Sequence, residues 1–294
     1  MNSFYDLMKG MTARWLAEQV VNEGDTYDDN DILICGKCGE PRQEFREWPD
    51  PTDEDPDRKT MLKTTRMCKC DRDRQEEEKR QKELQENMER VKRLRKYSLM
   101  DAKFQNATFD NFQVTKANQK NLKYCKRYAT GFDEMLKKCQ GLLFWGGVGT
   151  GKSYAAACIA NYLLEQKISV VMTSFVKILE LIQKDRDEES NIIRRLADAK
   201  LVIFDDLGAE RDTSYALEKV YNIIDSRYRS GLPMILTTNL SLQEMQEETD
   251  IQYARIYDRI FEVCYPMQFT GDSFRRQAAF NKFSEMGKFF EGED

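Results

Sequence analysis

Residues 141–153 read Gly141-Leu142-Leu143-Phe144-Trp145-Gly146-Gly147-Val148-Gly149-Thr150-Gly151-Lys152-Ser153. A short apolar run passes into a glycine-rich turn that ends in Lys-Ser and opens a helical pattern. In this context the pattern G-x-x-x-x-G-K-[ST] cradles phosphate. Five of the fifteen glycines fall between positions 141 and 151, because successive backbone N–H groups must turn inward toward phosphate oxygens and side chains would obstruct them. The helix N-terminus adds its positive dipole end. Gly146 to Ser153, with Tyr154 next along the helix, are therefore the candidate nucleotide-binding residues. Lys152 is the point charge for the β- and γ-phosphates, and the Ser153 hydroxyl suits Mg2+.

A phosphate loop specifies binding; hydrolysis needs an apolar strand ending in a carboxylate beside it. Leu201-Val202-Ile203-Phe204-Asp205-Asp206 supplies that strand about fifty residues downstream. Asp205 is placed to hold Mg2+ and Asp206 to orient the attacking water, with Glu210 as a second candidate base. Met234-Ile235-Leu236-Thr237-Thr238-Asn239 is another strand ending in polar groups, and Asn239 could reach the γ-phosphate or the water. Arg255 and Arg259 stand four apart on one helical face, and Arg275 follows a Gly-Asp-Ser-Phe stretch. Phosphoryl transfer needs such positive charge, although surface ion pairs are the ordinary use of any one of these arginines.

From residue 97 onward apolar runs alternate with amphipathic helical patterns, an α/β arrangement with a largely parallel sheet. Buried strands are expected at 142–145, 169–173, 201–204, 234–237 and 261–269. Leu217, Val220, Tyr221, Ile224 and Tyr228 form one helical face, which Gly231 and Pro233 terminate.

The N-terminal third differs in texture. Residues 4–21 space their apolar side chains as a short amphipathic helix. Cys35-x-x-Cys38 and Cys68-x-Cys70 form two close pairs, and four thiolates suit one tetrahedral Zn2+. Between them, prolines and the acidic residues 53–57 read as an exposed loop without a core. From Asp71 to Lys96 the chain has no Pro or Gly and is dominated by charge, so one long helix is expected. It carries an apolar stripe at Leu84, Met88, Val91 and Leu94. Its basic end, Arg90 to Lys96, is either a solvated, dipole-matched terminus or a contact for nucleic acid or a partner.

The 294-residue chain contains no histidine. That removes imidazole general bases, His-containing triads and imidazole zinc ligands. Charged residues make up 33% and the net charge is −5, which disfavours strong autonomous DNA binding. No run approaches a membrane span. The opening residues do not read as an export signal, so the eight cysteines are expected in the reducing cytoplasm.

Together these motifs resemble a family, the AAA+ ATPases of the replicative helicase loader group, of the DnaC and DnaI type, bacterial or phage; the transposition helper ATPase IstB is a near relative. The resemblance covers about residues 98–280. It rests on Ser98-Leu99 through Phe104, Thr108-Phe109-Asp110-Asn111-Phe112, the phosphate loop, Phe204-Asp205-Asp206-Leu207-Gly208, Thr237-Thr238-Asn239-Leu240 and Arg255-Ile256-Tyr257-Asp258-Arg259-Ile260. It implies a five-stranded parallel AAA+ sheet, ATP and Mg2+ as ligands, Asn239 as sensor 1, Arg259 as the arginine finger acting on a neighbour's ATP, and Arg275 as sensor 2. Many AAA+ relatives carry Glu at the Asp206 position, so slow turnover is expected.

The expected organisation is a helicase-interaction module at 1–70, a charged helical linker at 71–97 and the ATPase at 98–294. The expected partners are a hexameric replicative helicase, single-stranded DNA and further copies of the chain. Two alternatives stay open: a transposition helper ATPase, or a nucleotide-switched helicase adaptor with negligible turnover.

Overall fold

The computed structural model describes residues 21–49, 59–184, 188–209 and 213–291. Outside them lie the helix expected at 4–21, apart from its last residue, the acidic residues 53–57, and Glu210. The chain divides into two compact units, residues 1–86 and 87–294.

In the first unit β1 (Thr26–Tyr27) pairs with β2 (Leu33–Ile34), and β3 (Gln43–Pro49) pairs antiparallel with β4 (Lys59–Thr65). The loop expected between the cysteine pairs is thus corrected: its arms are a β-ribbon running from Gln43 opposite Thr65 to Pro49 opposite Lys59. Hydropathy does not mark it: Phe45 and Met61, on one face of the ribbon, remain exposed, whereas a two-residue period needs a buried face. Ile32, Leu33, Cys35 and Cys68 are the buried apolar side chains of this unit among the described residues. Arg42 bridges Asp25 at 2.6 Å and Asp71 at 2.8 Å.

α1 (Lys69–Tyr97) buries no side chain. Of its expected stripe, Leu84 and Met88 are exposed, while Leu94 leans on the core of the second unit.

The second unit is built on a five-stranded sheet with order β6-β7-β8-β5-β9, all neighbours parallel. The strands are β5 (Gly141–Gly146), β6 (Val170–Ser174), β7 (Leu201–Leu207), β8 (Met234–Thr238) and β9 (Cys264–Phe269). Both faces are covered, so successive residues serve opposite cores. Leu142 and Phe144 join one apolar cluster and Leu143 the other. α2 (Gln119–Thr130) and α4 (Lys152–Glu165) cover the first face; α3 (Phe132–Lys137) follows α2. Residues 155–160 of α4, four alanines with Cys158 and Ile159, are essentially solvent-free, and their small side chains let the helix lie close to the sheet. α5 (Phe175–Lys184), α6 (Glu188–Asp198), α7 (Ser214–Arg229), α8 (Leu242–Gln246) and α9 (Ile251–Val263) supply the second face.

Phe261 to Val263, expected to begin the last strand, instead complete α9. The buried Ile256, Tyr257 and Ile260 give that segment a helical period, which overrides its β-branched and aromatic content. α10 (Phe274–Glu291) ends the described chain and leaves Phe280, Phe283, Phe289 and Phe290 70–76% exposed. No helix among the described residues is long and apolar enough to cross a membrane.

The sheet order governs the site. β8 stands between the phosphate-loop strand β5 and the carboxylate strand β7, so the groups at the three strand ends meet across β8.

Candidate functional site

Between the end of β5 and the start of α4 the backbone curls, with φ of +129° at Gly146, +80° at Gly149 and +96° at Gly151. Gly149 has a second reason to be glycine: a Cβ there would lie 2.1 Å from Ser273 Oγ. The loop is thereby locked against the start of α10, where Phe274 N–H donates to Gly149 O at 3.0 Å. Lys152 Nζ donates to Gly146 O and Gly147 O, each at 2.7 Å, and to Asn239 Oδ1 at 2.9 Å. Burial lowers the pKa of this ammonium, and the carboxylates of Asp206 and Asp205 oppose that shift.

Asp205 and Asp206 are held from β8. Thr237 Oγ1 donates to Asp205 Oδ1 at 2.7 Å and accepts from Asp206 N–H at 2.8 Å. Asn239 Nδ2 donates to Asp206 Oδ1 at 2.9 Å. Asp206 has φ of +63°, a left-handed conformation costly for a non-glycine residue, and these bonds hold it there. A cleft of about 560 Å³ brings together residues 148–154, Asp205, Asp206, Asn239 and Arg275, within the size range of small-molecule sites. Gly146 and Gly147 are not among the residues lining it; they contribute the carbonyls that hold Lys152. The Ser153 hydroxyl and the Asp205 carboxylate, both lining the cleft, are hard oxygen donors, a donor set that fits Mg2+. Arg275 is exposed and has no hydrogen-bond or ion-pair partner among the described residues.

Motif reading passed over part of the lining: Lys103, Phe112, Gln113, Thr237 and Phe274 also face the cleft. Tyr154 donates its hydroxyl to Asn111 Oδ1 at 2.7 Å and packs on Phe112 with ring centres 5.7 Å apart. The Thr108–Phe112 stretch stood out in the sequence without a role; here Asn111 and Phe112 form the wall beside α4.

Arg259 is not among the residues lining this cleft. It lies between α9 and α7, paired with Asp225 at 2.7 Å. Arg255, one turn earlier, is exposed.

In the first unit the Sγ atoms of Cys35, Cys38, Cys68 and Cys70 all lie within 4.8 Å of one another. Four thiolates around one tetrahedral Zn2+ would stand about 3.8 Å apart, so the cluster fits that ion. The first pair sits in a turn closed by Cys35 N–H to Glu40 O and Gly39 N–H to Cys35 O, both 2.9 Å. A Cβ on Gly36 would meet Gly24 O at 2.0 Å. Backbone N–H groups of Cys70 and Glu40 point at Cys38 Sγ and lower its thiol to about 6, whereas burial pushes Cys68 up to about 12. A bound dication would favour the thiolate at all four positions.

A family model described as "IstB-like ATP binding protein" matches residues 75–281. The chain belongs to the IstB-like ATP-binding proteins. The matched span holds the whole cleft and Arg259, and the four cysteines precede it. Two relatives bear helicase-loader names. This IstB-like chain is 28% identical over 161 residues to the replicative helicase loader DnaC of Escherichia coli K12, which covers 53% of this chain and 63% of that protein. It is 28% identical over 153 residues to the replicative helicase loader DnaI of Bacillus subtilis, covering 47% and 48% respectively. The chain therefore spans less than two thirds of either relative. A crystal structure of DnaI superimposes with a TM-score of 0.51 at 25% identity, covering 61% of this chain and 98% of that one. The IstB-like chain thus has the AAA+ P-loop fold.

Proposed function

We propose that this IstB-like protein is an ATP-dependent loader of a replicative DNA helicase onto single-stranded DNA, with ATP binding and hydrolysis controlling assembly and release. The observation that carries the reading is that the family match over residues 75–281 takes in the whole phosphate cleft, in a chain whose relatives include two named helicase loaders. Residues 1–70 would form the helicase-gripping module around one Zn2+ held by Cys35, Cys38, Cys68 and Cys70. Residues 71–97 would be the linker, and 98–294 the ATPase.

In the cleft, loop N–H groups and the α4 terminus receive the phosphates, and Lys152 exchanges its carbonyl and Asn239 partners for phosphate oxygens. Ser153 and Asp205 would hold Mg2+, which neutralises phosphate charge when bound. Asp206, oriented by Asn239, holds the attacking water and takes up its proton. Arg275 meets the phosphates from the same chain. Arg259, remote from its own cleft, acts on the nucleotide of a neighbouring copy, so hydrolysis requires self-association. Turnover is slow and is stimulated by DNA or the partner.

The deciding experiment is co-purification with a replicative hexameric helicase in the presence and absence of ATP, alongside ATPase assays with single-stranded DNA. Nucleotide-dependent capture supports the loader; ATP-independent failure to bind any such helicase refutes it. The family's description favours one second reading, an IstB-like transposition helper, which would win if the protein bound a transposase and duplex DNA instead.

A further inference from the structure

Arg259 is held by more partners than a surface arginine ordinarily has. On α7, Tyr221, Asp225 and Tyr228 follow one another at spacings of four and three, so they form a stripe along one helix face. Arg259 lies against that stripe. Its Nη2 is 2.7 Å from Asp225 Oδ1 and donates to Tyr221 Oη at 2.9 Å, and its Nη1 donates to Arg255 O at 3.2 Å. The guanidinium carbon stands 4.8 Å from the Tyr221 ring centre and 5.9 Å from that of Tyr228. The remaining groups around the stripe are themselves engaged: Tyr228 donates its hydroxyl to Glu262 Oε2 at 2.7 Å, and Arg229 Nε pairs with Asp225 Oδ2 at 2.8 Å. The Arg259 side chain is nevertheless 21% exposed, so part of it still faces solvent.

An exposed ion pair used only for stability needs no such arrangement and contributes little. Two aromatic faces, one hydroxyl and one carbonyl hold the guanidinium, and the Asp225 carboxylate draws it to that side by charge, in ion contact without an aligned hydrogen bond. An arginine that must swing into a neighbour's cleft would otherwise lose its rotamer freedom at that moment. We infer that Asp225 and Tyr221 are positioning residues that set Arg259, before any neighbour arrives, in the orientation it uses on the neighbour's ATP. This rests on the proposed action of Arg259 between copies. It adds two residues that motif reading leaves as an ordinary helix face.

The test uses the full chain and steady-state ATP hydrolysis under the conditions where wild type turns over. Asp225→Asn keeps the shape and removes the charge. It should lower kcat about 10- to 100-fold, as for misplacement of a reacting group by a fraction of an ångström to one ångström, with KM for ATP changed less than about twofold. Tyr221→Phe should act in the same direction and more weakly. In an Arg259→Ala background Asp225→Asn should cost nothing further. Adding Lys152→Ala subunits, which cannot use ATP but carry an intact Arg259 cradle, should restore turnover to Asp225→Asn subunits.

A kcat that is unchanged or raised in Asp225→Asn overturns the inference. So does a loss that persists in the Arg259→Ala background, or one that Lys152→Ala subunits do not relieve. If instead Arg259→Ala itself turns over normally, the action between copies fails and the positioning role falls with it.

Discussion

The hydroxyl of Thr237 joins both acidic residues of the cleft, and replacing it tests how the site is held. Thr237 is 1% exposed; its Oγ1 donates to Asp205 Oδ1 at 2.7 Å and accepts from Asp206 N–H at 2.8 Å. Thr237→Val preserves volume and removes both bonds. Loss of a hydrogen bond to a carboxylate costs about 1.5–3 kcal/mol, and stranding a buried N–H about 1–3 kcal/mol. Water reaches Asp206, which is exposed, and the added methyl gains about 0.8 kcal/mol, so the net loss should be about 2–3 kcal/mol. For a unit of this size each kcal/mol moves the melting temperature by roughly 2–4 °C, so the nucleotide-free ATPase unit should melt about 4–12 °C lower. Asp206, freed from Thr237 at φ of +63°, should relax away from the water, and kcat should drop about 100-fold with a smaller change in KM. Thr237→Ser keeps both bonds and should cost about 1 kcal/mol for the lost methyl with turnover largely intact. Calorimetry and steady-state hydrolysis read both arms. Thr237→Val melting within about 2 °C of wild type, or Thr237→Ser losing as much turnover as Thr237→Val, would refute the reasoning.

Three further outcomes are expected. Lys152→Ala should eliminate ATP binding in calorimetric titration while the nucleotide-free protein still melts cooperatively; retained tight binding would displace the phosphate site. Elemental analysis should find about one zinc per chain, and a chelator should melt the N-terminal unit without lowering the transition of the ATPase unit. The N-terminal unit should also be acid-labile: N–H groups of Gly36 and Asn22 hold the Asp25 carboxyl at about 2 against an ordinary 3.8. A depressed carboxylate contributes stability that is present above about pH 4 and is lost as pH falls toward 2. Asp25→Asn should flatten that part of an acid titration followed by circular dichroism.

What the amino-acid order made legible, and what it hid, divides on physical lines. Gly146 to Ser153 are legible because curling a backbone around phosphate demands glycine and a cation at fixed spacing. Leu201–Phe204 and Met234–Thr237 are legible because strands buried on both faces become unbroken apolar runs. The ribbon of β3 and β4 is hidden because Phe45, Glu47 and Met61, on one of its faces, are exposed, so no apolar alternation marks that face. Arg227 is hidden for the opposite reason. By composition it is one more charge on α7, yet it is 2% exposed and donates to the carbonyls of Leu196, Ala199, Lys200 and Pro233 at 2.7–3.1 Å. Burial pulls its pKa down to about 10, and no local pattern announces an arginine that satisfies four carbonyls from other segments. Asp225 and Tyr221 fall between these cases: the spacing is visible, but its use depends on where α9 packs.

Strand order is the one global feature that local reading does not supply, and the chemistry of the cleft depends on it. Were β7 adjacent to β5, Lys152 and Asp206 could meet directly, and an incoming phosphate would have to separate an ion pair in a partly desolvated site. With β8 inserted, Asn239 takes the position between them, accepting from Lys152 Nζ and donating to Asp206 Oδ1, each at 2.9 Å. The ammonium is satisfied by two loop carbonyls and an amide oxygen, all neutral dipoles. Exchanging dipoles for phosphate anions strengthens each bond, since charge-assisted hydrogen bonds are about twice as strong as neutral ones. The same exchange frees the Asn239 amide oxygen while its Nδ2–H2 still holds Asp206. Occupancy of the phosphate site and the setting of the carboxylate proposed to hold the water are therefore linked through a single side chain at the end of β8.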